Sequence, residues 1–300
     1  MLFRSGWAMH HIGKKDISLW DDQDAFYYDA IKFENGTSQR LRIRSLVGII
    51  PLLAVEIMHS SVFEQLRQFN TRLEVIRLTR PDLTRIISDI DKKNKDGNYL
   101  FAIMIGDRIE HLLKRLLDEA EFLSDYGIRS LSKIHQDNPY SFGYQGSNYS
   151  IQYEPGESSS AMFGGNSNWR GPIWLPLNYL IINSLRKYYE YYGDKYTYEF
   201  PAGSGNKMNL KQIANQLTKR LLKIFERNDT GKFQYHASHQ SCWEKDHFKE
   251  HHLFYEFFHG DTGQGLGASH QTGWTALIVN LLLEMAGSRS EERRVGKECR

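Results

Sequence analysis

Residues 172–192 read PIWLPLNYLIINSLRKYYEYY, and this stretch sets the fold. Its opening Gly171-Pro172 pair suits the start of a helix, where the missing proline N–H costs nothing. Leu, Ile and Tyr then recur over several turns, which predicts a long helix. Amphipathic helices are also predicted at residues 61–71, 81–90, 107–119, 130–135, 209–227 (capped by Asn209) and 272–285. Residues 46–58 are apolar nearly all round, which is typical of a helix buried on several sides.

Strand signals are short. Residues 26–33 and 40–44 flank Asn35-Gly36, a pair that favours a tight hairpin turn. Residues 149–153 alternate and predict another short strand. Long connecting segments at 137–171, 228–252 and 255–271 are rich in aromatic residues, and loops of such length usually carry function. These features predict an all-α ring of helices, a toroid, with short β-hairpins and long loops at one end.

The two ends of the chain differ in character from the rest. Residues 289–300, RSEERRVGKECR, begin abruptly and resemble the conceptual translation of a sequencing-library adapter. Residues 1–5, MLFRS, resemble the end of the opposite adapter. We therefore expect the natural sequence to run over residues 6–288 as one partial domain from the interior of a longer gene, with 1–5 and 289–300 excluded from fold arguments.

This exclusion changes the charge balance. The whole chain has 38 basic and 36 acidic residues. The tail contributes five basic and three acidic residues and Arg4 one more basic residue, which leaves 32 basic and 33 acidic residues and a net charge of −1. No electrostatic case for nucleic acid then remains. Cys242 is the one cysteine left, which fits a cytoplasmic origin, and no apolar run reaches the roughly 18 residues that predict a membrane span.

Residues 253–274, LFYEFFHGDTGQGLGASHQTGW, carry the strongest chemical signal. Glu256 lies inside a run of aromatic residues, a glycine-rich turn follows, and a polar cluster ends on Trp274. Burying an acid among rings is costly unless it is hydrogen-bonded or its pKa is raised. Rings that stack on sugar C–H faces beside an acid and amide groups suit a carbohydrate site. The alternative is an aromatic core segment with one snorkelling glutamate.

A second segment, residues 166–179, places Trp169 and Trp174 around Arg170 at the start of the long helix. Both indoles can line one pocket, and the planar guanidinium can hold a hydroxyl or a carboxylate. The alternative is tryptophan packing at a helix N-terminus. A third segment, residues 19–29, includes Trp20, Asp21 and Asp22 and predicts a catalytic or sugar-contacting edge, or else a turn cluster before a strand.

Metal and phosphate sites are not favoured. The acids of residues 19–29 lack the EF-hand spacing. Residues 201–206 form a glycine-rich turn without the P-loop Lys-Ser/Thr pair. His247 and His251 have the spacing of a ligand pair but fall in a predicted loop and lack the neighbouring glutamate of zinc proteases. We expect no metal and no cofactor.

Four strings together resemble glycoside hydrolase family 63, closest to its bacterial and yeast glucosidase-like branch, which is related to mannosylglycerate hydrolases. They are LWDDQDAFYYD (19–29), RSLVGIIPLLAVE (44–56), SNWRGPIW (167–174) and FYEFFHGD (254–261). The resemblance covers nearly all of residues 8–285. It implies an (α/α)6 barrel, incomplete in this chain, and inverting, α-glucosidase-like hydrolysis of an α-glycoside.

The resemblance also implies residue roles. Glu256 matches the general base, Trp169 and Trp174 match substrate-contacting residues, and Gln271 matches a polar contact near the base. The family's general acid is an aspartate in a Gly-Leu-Asp-Asn-type segment upstream of residues 19–29, which this chain lacks. Asp21 and Asp22 are then edge residues rather than the acid.

The expected partner is a carbohydrate substrate. A non-catalytic carbohydrate-binding toroid is the alternative, and the upstream aspartate discriminates between the two. An open piece of a closed barrel leaves apolar helix faces bare, so this 300-residue chain is expected to be inactive and poorly soluble. Its sequence does not predict the sugar, the linkage or the oligomeric state.

Overall fold

The computed structural model describes residues 2–10, 17–84, 92–104, 106–159, 170–229, 231–236, 245 and 251–298. The helices are α1 Leu2–His10, α2 Ile50–Leu53, α3 Ser60–Gln65, α4 Arg67–Thr79, α5 Pro81–Thr84, α6 Asp107–Leu116, α7 Leu175–Tyr192, α8 Leu210–Lys223, α9 Thr272–Thr275 and α10 Leu277–Glu298. Short 3-10 turns cover Leu46–Ile49, Lys133–Gln136, Gly193–Lys195 and Gln234–His236.

The strands of the described residues form antiparallel two-stranded sheets. They are β1 Trp20–Asp21, β2 Phe26–Tyr27, β3 Asp29–Lys32, β4 Ser38–Leu41, β5 Val55–His59, β6 Asn98–Ala102, β7 Leu123–Ser124, β8 Gly127–Ile128, β9 Tyr140–Tyr144, β10 Ser147–Ile151, β11 Thr197–Glu199, β12 Lys207–Asn209, β13 Phe257–Phe258 and β14 Gly265–Leu266. Each odd-numbered strand pairs with the strand that follows it, and the β5–β6 pairing spans the longest sequence interval.

The main core lies among α6, α7 and α8. Helix α6 buries Ile109, Leu112, Leu113 and Leu116, the spacing of one helix face. Helices α7 and α8 bury similar stripes and pack against each other. Helices therefore supply much of the buried framework, as the sequence predicted. The hairpins contribute to the same core, through residues such as Phe26, Leu100 and Ala102, so the prediction of an all-α fold was too simple.

Two local predictions are confirmed in detail. The β3–β4 hairpin turns at Asn35-Gly36, where Gly36 has φ +80° and Lys32 pairs with Ser38. Asn209 caps α8 in a capping box, since its side chain accepts from the Gln212 N–H and the Gln212 side chain accepts from the Asn209 N–H. Short-range turn and cap chemistry was therefore readable from the chain.

The prediction of one buried helix over residues 46–58 was wrong. Pro51 does lie in the first turn of α2, but the helix stops at Leu53 and the chain continues as β5. Strand β5 pairs with β6, with Val55 opposite Ala102 and His59 opposite Asn98. This partner lies about forty residues away in sequence, so local periodicity could not reveal it.

Other helix limits also differ. No α-helix forms at residues 130–135. A 3-10 turn covers Lys133–Gln136 instead. The long helix begins at Leu175 instead of residue 172, because Ile173 forms antiparallel bridges to Arg129 and Phe258. The last predicted helix, 272–285, is split into α9 and α10, and α10 runs on to Glu298.

Several helices also present apolar side chains to solvent. Helix α10 packs inward through Ile278 and Leu281, yet Val279, Leu282 and Leu283 on its other side are exposed. Helix α4 likewise exposes Val75 and Leu78. Among the helices of the described part of the chain, none is long and apolar enough to cross a membrane.

Candidate functional site

Glu256 lies in an extended segment that is held from both sides by backbone hydrogen bonds. Its N–H donates to the Ala268 carbonyl at 2.8 Å, and the N–H of Gln271 donates to the Phe254 carbonyl at 2.7 Å. On the other side, Phe258 and Ile173 exchange two hydrogen bonds of 2.8 and 3.0 Å. The segment therefore joins the two regions that the sequence singled out, the start of α7 and the polar cluster before α9.

Glu256 is half-buried, and its carboxylate has few contacts with the described part of the protein. Its Oε2 accepts one long hydrogen bond, 3.4 Å, from the Ala268 N–H. No ion pair to Glu256 is found within the described ranges. The glycine-rich turn explains its setting, because Gly267 has φ +70° and a Cβ there would lie 2.7 Å from Oε2. The turn thus approaches the acid as closely as only glycine permits.

Three aromatic rings form a row beside this acid. Trp174 stacks on Phe257 with ring centroids 5.0 Å apart and an interplanar angle of 23°. On the other side Trp174 meets Trp274 at 5.4 Å and 55°. Phe257 and Trp174 are 4% and 6% exposed, whereas Trp274 is 38% exposed. The structure thus brings Trp174 next to the Glu256 segment and adds Trp274, which the sequence marked only as the end of the polar cluster.

The indole N–H of Trp174 is buried and finds no acceptor among the described residues. An unmade hydrogen bond of this kind costs about 1–3 kcal/mol when the donor is kept from water. The indole therefore keeps an unused donor where its ring packs on Phe257.

Arg170 forms an internal ion pair. Its Nη1 lies 2.7 Å from Oε2 of Glu154, and both side chains are nearly buried. Burial raises the pKa of the Glu154 carboxyl, but hydrogen bonds from Ser159 and Arg170 outweigh it and hold the pKa below its ordinary value. The carboxylate that Arg170 holds therefore belongs to the protein. Glu154 was not predicted because it stands in none of the motifs, although it lies in the long loop at 137–171.

Asp261, in the turn that follows the Glu256 segment, is half-buried and bonded to two buried side chains. It accepts from Arg129 at 2.9 Å and from the Tyr153 hydroxyl at 3.1 Å. Burial raises the pKa of the Asp261 carboxyl, but Arg129 outweighs this effect and lowers it overall. Glu154 and Asp261 thus stay ionised, and a carboxyl that stays ionised is poorly suited to act as a general acid.

His259 stabilises the same turn. Its Nδ1 faces the N–H groups of Asp261 and Thr262 at 3.2 and 3.3 Å, so Nδ1 is the acceptor and the ring proton sits on Nε2. Burial lowers the pKa of His259, which favours this neutral form. The imidazole therefore orders the backbone just after the Glu256 segment.

The acids of residues 19–29, the N-terminal edge, have surroundings that differ from those of Glu256. Asp21 is 2% exposed, pairs with Arg40 and Arg42 at 3.1 and 3.0 Å, and accepts from the N–H groups of Gln23 and Asp24. Trp20 is buried with Tyr27 and Arg108 against its ring. These contacts favour the turn-cluster interpretation for Trp20 and Asp21, while Asp22 is exposed.

Of the other residues that the sequence singled out, some lie within the described ranges and some lie outside them. Gln271 is half-buried at the start of α9, next to Phe254. Trp169, Cys242 and His247 lie outside the described residues. Within the described part of the chain, no group of three His, Cys, Asp or Glu side chains could hold a metal ion.

The family model of the glycosyl hydrolase family 63 C-terminal domain matches this chain over residues 101–284. This interval is more than half of the chain and includes Arg170, Trp174, Glu256 and Gln271.

Curated relatives agree with this match. An uncharacterized protein of Saccharomyces cerevisiae, YMR196W, is 44% identical over 271 residues, covering 89% of this chain and 25% of that protein. The mannosyl-oligosaccharide glucosidase of the same yeast is 30% identical over 177 residues, covering 58% of this chain and 15% of the enzyme. The chain thus spans a quarter or less of the length of these relatives.

Among solved structures, the family 63 mannosylglycerate hydrolase of Thermus thermophilus in complex with glucose matches at 14% identity and a TM-score of 0.41. The alignment covers 88% of this chain and 34% of that one.

Proposed function

Because the chain belongs to glycosyl hydrolase family 63, we propose that it is part of the catalytic domain of a glycosidase in which Glu256 is the general base. The proposed reaction is inverting hydrolysis of an α-glycoside, α-glucosidase-like in character. The observation that carries it is the half-buried carboxylate of Glu256, which no described cation neutralises and which lies beside a row of aromatic rings.

In this mechanism, Glu256 removes a proton from the water that attacks the anomeric carbon. A second carboxyl, in protonated form, donates to the leaving oxygen from the opposite face, and inversion requires roughly 6.5–9.5 Å between the two groups. We assign the acid to an aspartate upstream of residues 19–29 in the complete polypeptide. The low pKa of Glu154 and of Asp261 supports this assignment, because neither would hold a proton to donate.

The substrate-binding roles are part of the same proposal. Trp174 and Trp169 would contact the sugar, and Gln271 would hydrogen-bond it near the base. Arg170 would act through the Glu154 pair by holding the entry to α7 in place. Asp22, which is exposed, is the remaining candidate for contact at the N-terminal edge. The exposed apolar sides of α4 and α10 support completion of the helices into an (α/α)6 barrel by the rest of the polypeptide.

The test is Glu256→Gln in the complete polypeptide. Removing general-base help is expected to lower turnover of α-glucosides by about 10²–10⁴-fold. Sugar affinity, measured by calorimetry, is expected to stay the same because the amide has nearly the same shape. Glu64→Gln, at an exposed carboxylate that pairs with Lys93, is the control and should keep full turnover.

Two outcomes would count against the proposal. Full turnover in Glu256→Gln would remove Glu256 from the role of base. Binding of sugar without turnover in the unaltered complete polypeptide would favour the non-catalytic carbohydrate-binding toroid instead.

A further inference from the structure

The row of rings beside Glu256 becomes more exposed in one direction. Phe257 and Trp174 are almost fully buried, and Trp274 at the end of the row keeps 38% of its surface in contact with solvent. The three are in contact, at 5.0 Å between the first pair and 5.4 Å between the second. The row therefore leads from the interior beside the acid to the protein surface.

We infer that Trp274 is the stacking platform for the leaving-group sugar, the ring next to the one that is attacked. This inference rests on the proposed function. The reacting sugar must lie against the Glu256 carboxylate. This group is beside the buried end of the row, because Glu256 Oε2 and the Phe257 ring lie 2.7 and 2.9 Å from one point, the position of a Cβ on Gly267. A ring at the exposed end then meets the next sugar of the substrate, which must depart toward solvent after cleavage.

The backbone of Trp274 is anchored to the segment that carries the acid. Its backbone N–H donates to the Gln271 carbonyl at 3.1 Å, and the Gln271 N–H in turn donates to the Phe254 carbonyl. On the following residue, the Thr275 hydroxyl donates to the Tyr255 carbonyl at 2.5 Å. Helix α9 is thus bonded to both residues that precede Glu256, which fixes the backbone of Trp274 relative to the backbone of the acid.

The chemistry of the exposed face fits a sugar ring. An indole presents a flat apolar surface that binds the C–H face of a pyranose, and large aromatic rings supply much binding area with little conformational entropy to lose. The neighbouring Gln271 amide adds hydrogen-bonding capacity for the hydroxyl groups at the ring edge. A small leaving group without a ring would not reach this surface.

The experiment compares two substrates in the complete polypeptide. One is α-glucosyl fluoride, whose leaving group is a single atom, and the other is a panel of α-linked glucose disaccharides. Trp274→Ala is expected to lower kcat/KM for the disaccharide that is cleaved best by about 10- to 100-fold, the range for a lost apolar contact. Fluoride release should change by less than about twofold, because its transition state makes no contact with the platform.

Two further variants keep the test sharp. Trp274→Phe retains a ring and should recover most of the disaccharide activity, which separates a stacking role from general damage. Tyr196→Ala is the matched control, since Tyr196 is also 38% exposed but lies beyond the opposite end of α7. Tyr196→Ala should leave kcat/KM unchanged for both the disaccharide and the fluoride.

Equal losses for fluoride and disaccharide in Trp274→Ala, or no loss for either, would overturn the inference. If the unaltered polypeptide cleaves none of the substrates, the proposed function itself has failed. The platform is then tested by calorimetry with glucose and the disaccharides. Weaker disaccharide binding with unchanged glucose binding in Trp274→Ala supports it, and any other pattern overturns it.

Discussion

Asp21 and Glu256 have the same sequence setting and opposite surroundings. Each is an acid within a run of aromatic residues. Asp21 is buried, paired with two arginines and hydrogen-bonded to two backbone N–H groups. Glu256 is half-buried and accepts one long hydrogen bond. An acid that the fold has already neutralised contributes to stability, whereas an acid left available can act on a ligand.

Glu154 belongs with Asp21 in this comparison. It too is buried and neutralised, in its case by Arg170, and it lies close to the site through the backbone hydrogen bond from its N–H to the Arg170 carbonyl. Position near a site therefore does not make a carboxylate available. A carboxylate is available to a ligand only when few groups of the protein already bind it.

The largest expected effect is on the Arg170–Glu154 pair. Arg170→Ala leaves a buried carboxylate without its cation and should lower the free energy of unfolding by about 3–5 kcal/mol, as for other broken buried pairs. Chemical denaturation of the complete polypeptide measures this. Arg77→Ala is the control, because its pair with Glu74 is exposed and should contribute less than about 1 kcal/mol. If Arg170→Ala lowers the free energy of unfolding no more than the control does, Glu154 is not neutralised by Arg170 and belongs with Glu256 in this comparison.

Asp21 and Glu256 should respond oppositely to isosteric amides. Asp21→Asn is expected to lose about 2 kcal/mol, since charge-assisted hydrogen bonds are removed, while Glu256→Gln should stay within about 0.5 kcal/mol of the unaltered protein. Chemical denaturation of both variants measures the difference. Equal changes in the free energy of unfolding would show that Asp21 and Glu256 do not differ in how the fold uses them.

The Asp21 effect should also depend on pH. Burial raises the pKa of this carboxyl, but the Asp24 N–H, Arg42 and Arg40 outweigh it and hold the pKa below 3.8. A lowered pKa contributes stability that is present above pH 3.8 and lost as the pH falls through the folded value. Unfolding curves between about pH 7 and pH 2 should therefore show the difference between Asp21→Asn and the unaltered protein shrinking toward zero.

The smallest expected effect is at the glycine turn. Gly267→Ala and Gly36→Ala both place a side chain at positive φ and should each cost about 1–2 kcal/mol of stability. Only the Cβ at position 267 would press on the Glu256 carboxylate, because nothing lies within 4 Å of position 36. Turnover should therefore fall about tenfold in Gly267→Ala alone. Equal turnover in the two variants would mean that the position of Glu256 is not critical.

Local signals in the chain predicted much of the framework. The buried stripe of α6, the Asn209 cap and the Asn35-Gly36 turn all depend on residues within a few positions of each other. Strand β5 was missed because its pairing with β6 depends on a distant segment. The family and the Glu256 segment were also readable, since their motifs are contiguous strings.

The ion pairs that distinguish neutralised from available carboxylates could not be predicted from the sequence. Glu154 meets Arg170 and Asp261 meets Arg129 across 16 and 132 positions of sequence, and neither glutamate nor aspartate stands in a motif with its partner. Trp274 was visible as the end of a polar cluster, but its contact with Trp174 depends on how α9 packs against the start of α7.

The sequence by itself determined the helical framework, its caps and turns, the family, and the candidate acid at Glu256, because each of these depends on residue types at short spacing. Only the tertiary structure decided which carboxylates are neutralised and which rings form the row beside Glu256. Charge pairing and ring stacking require atoms within a few ångströms, and packing rather than spacing along the chain brings those atoms together.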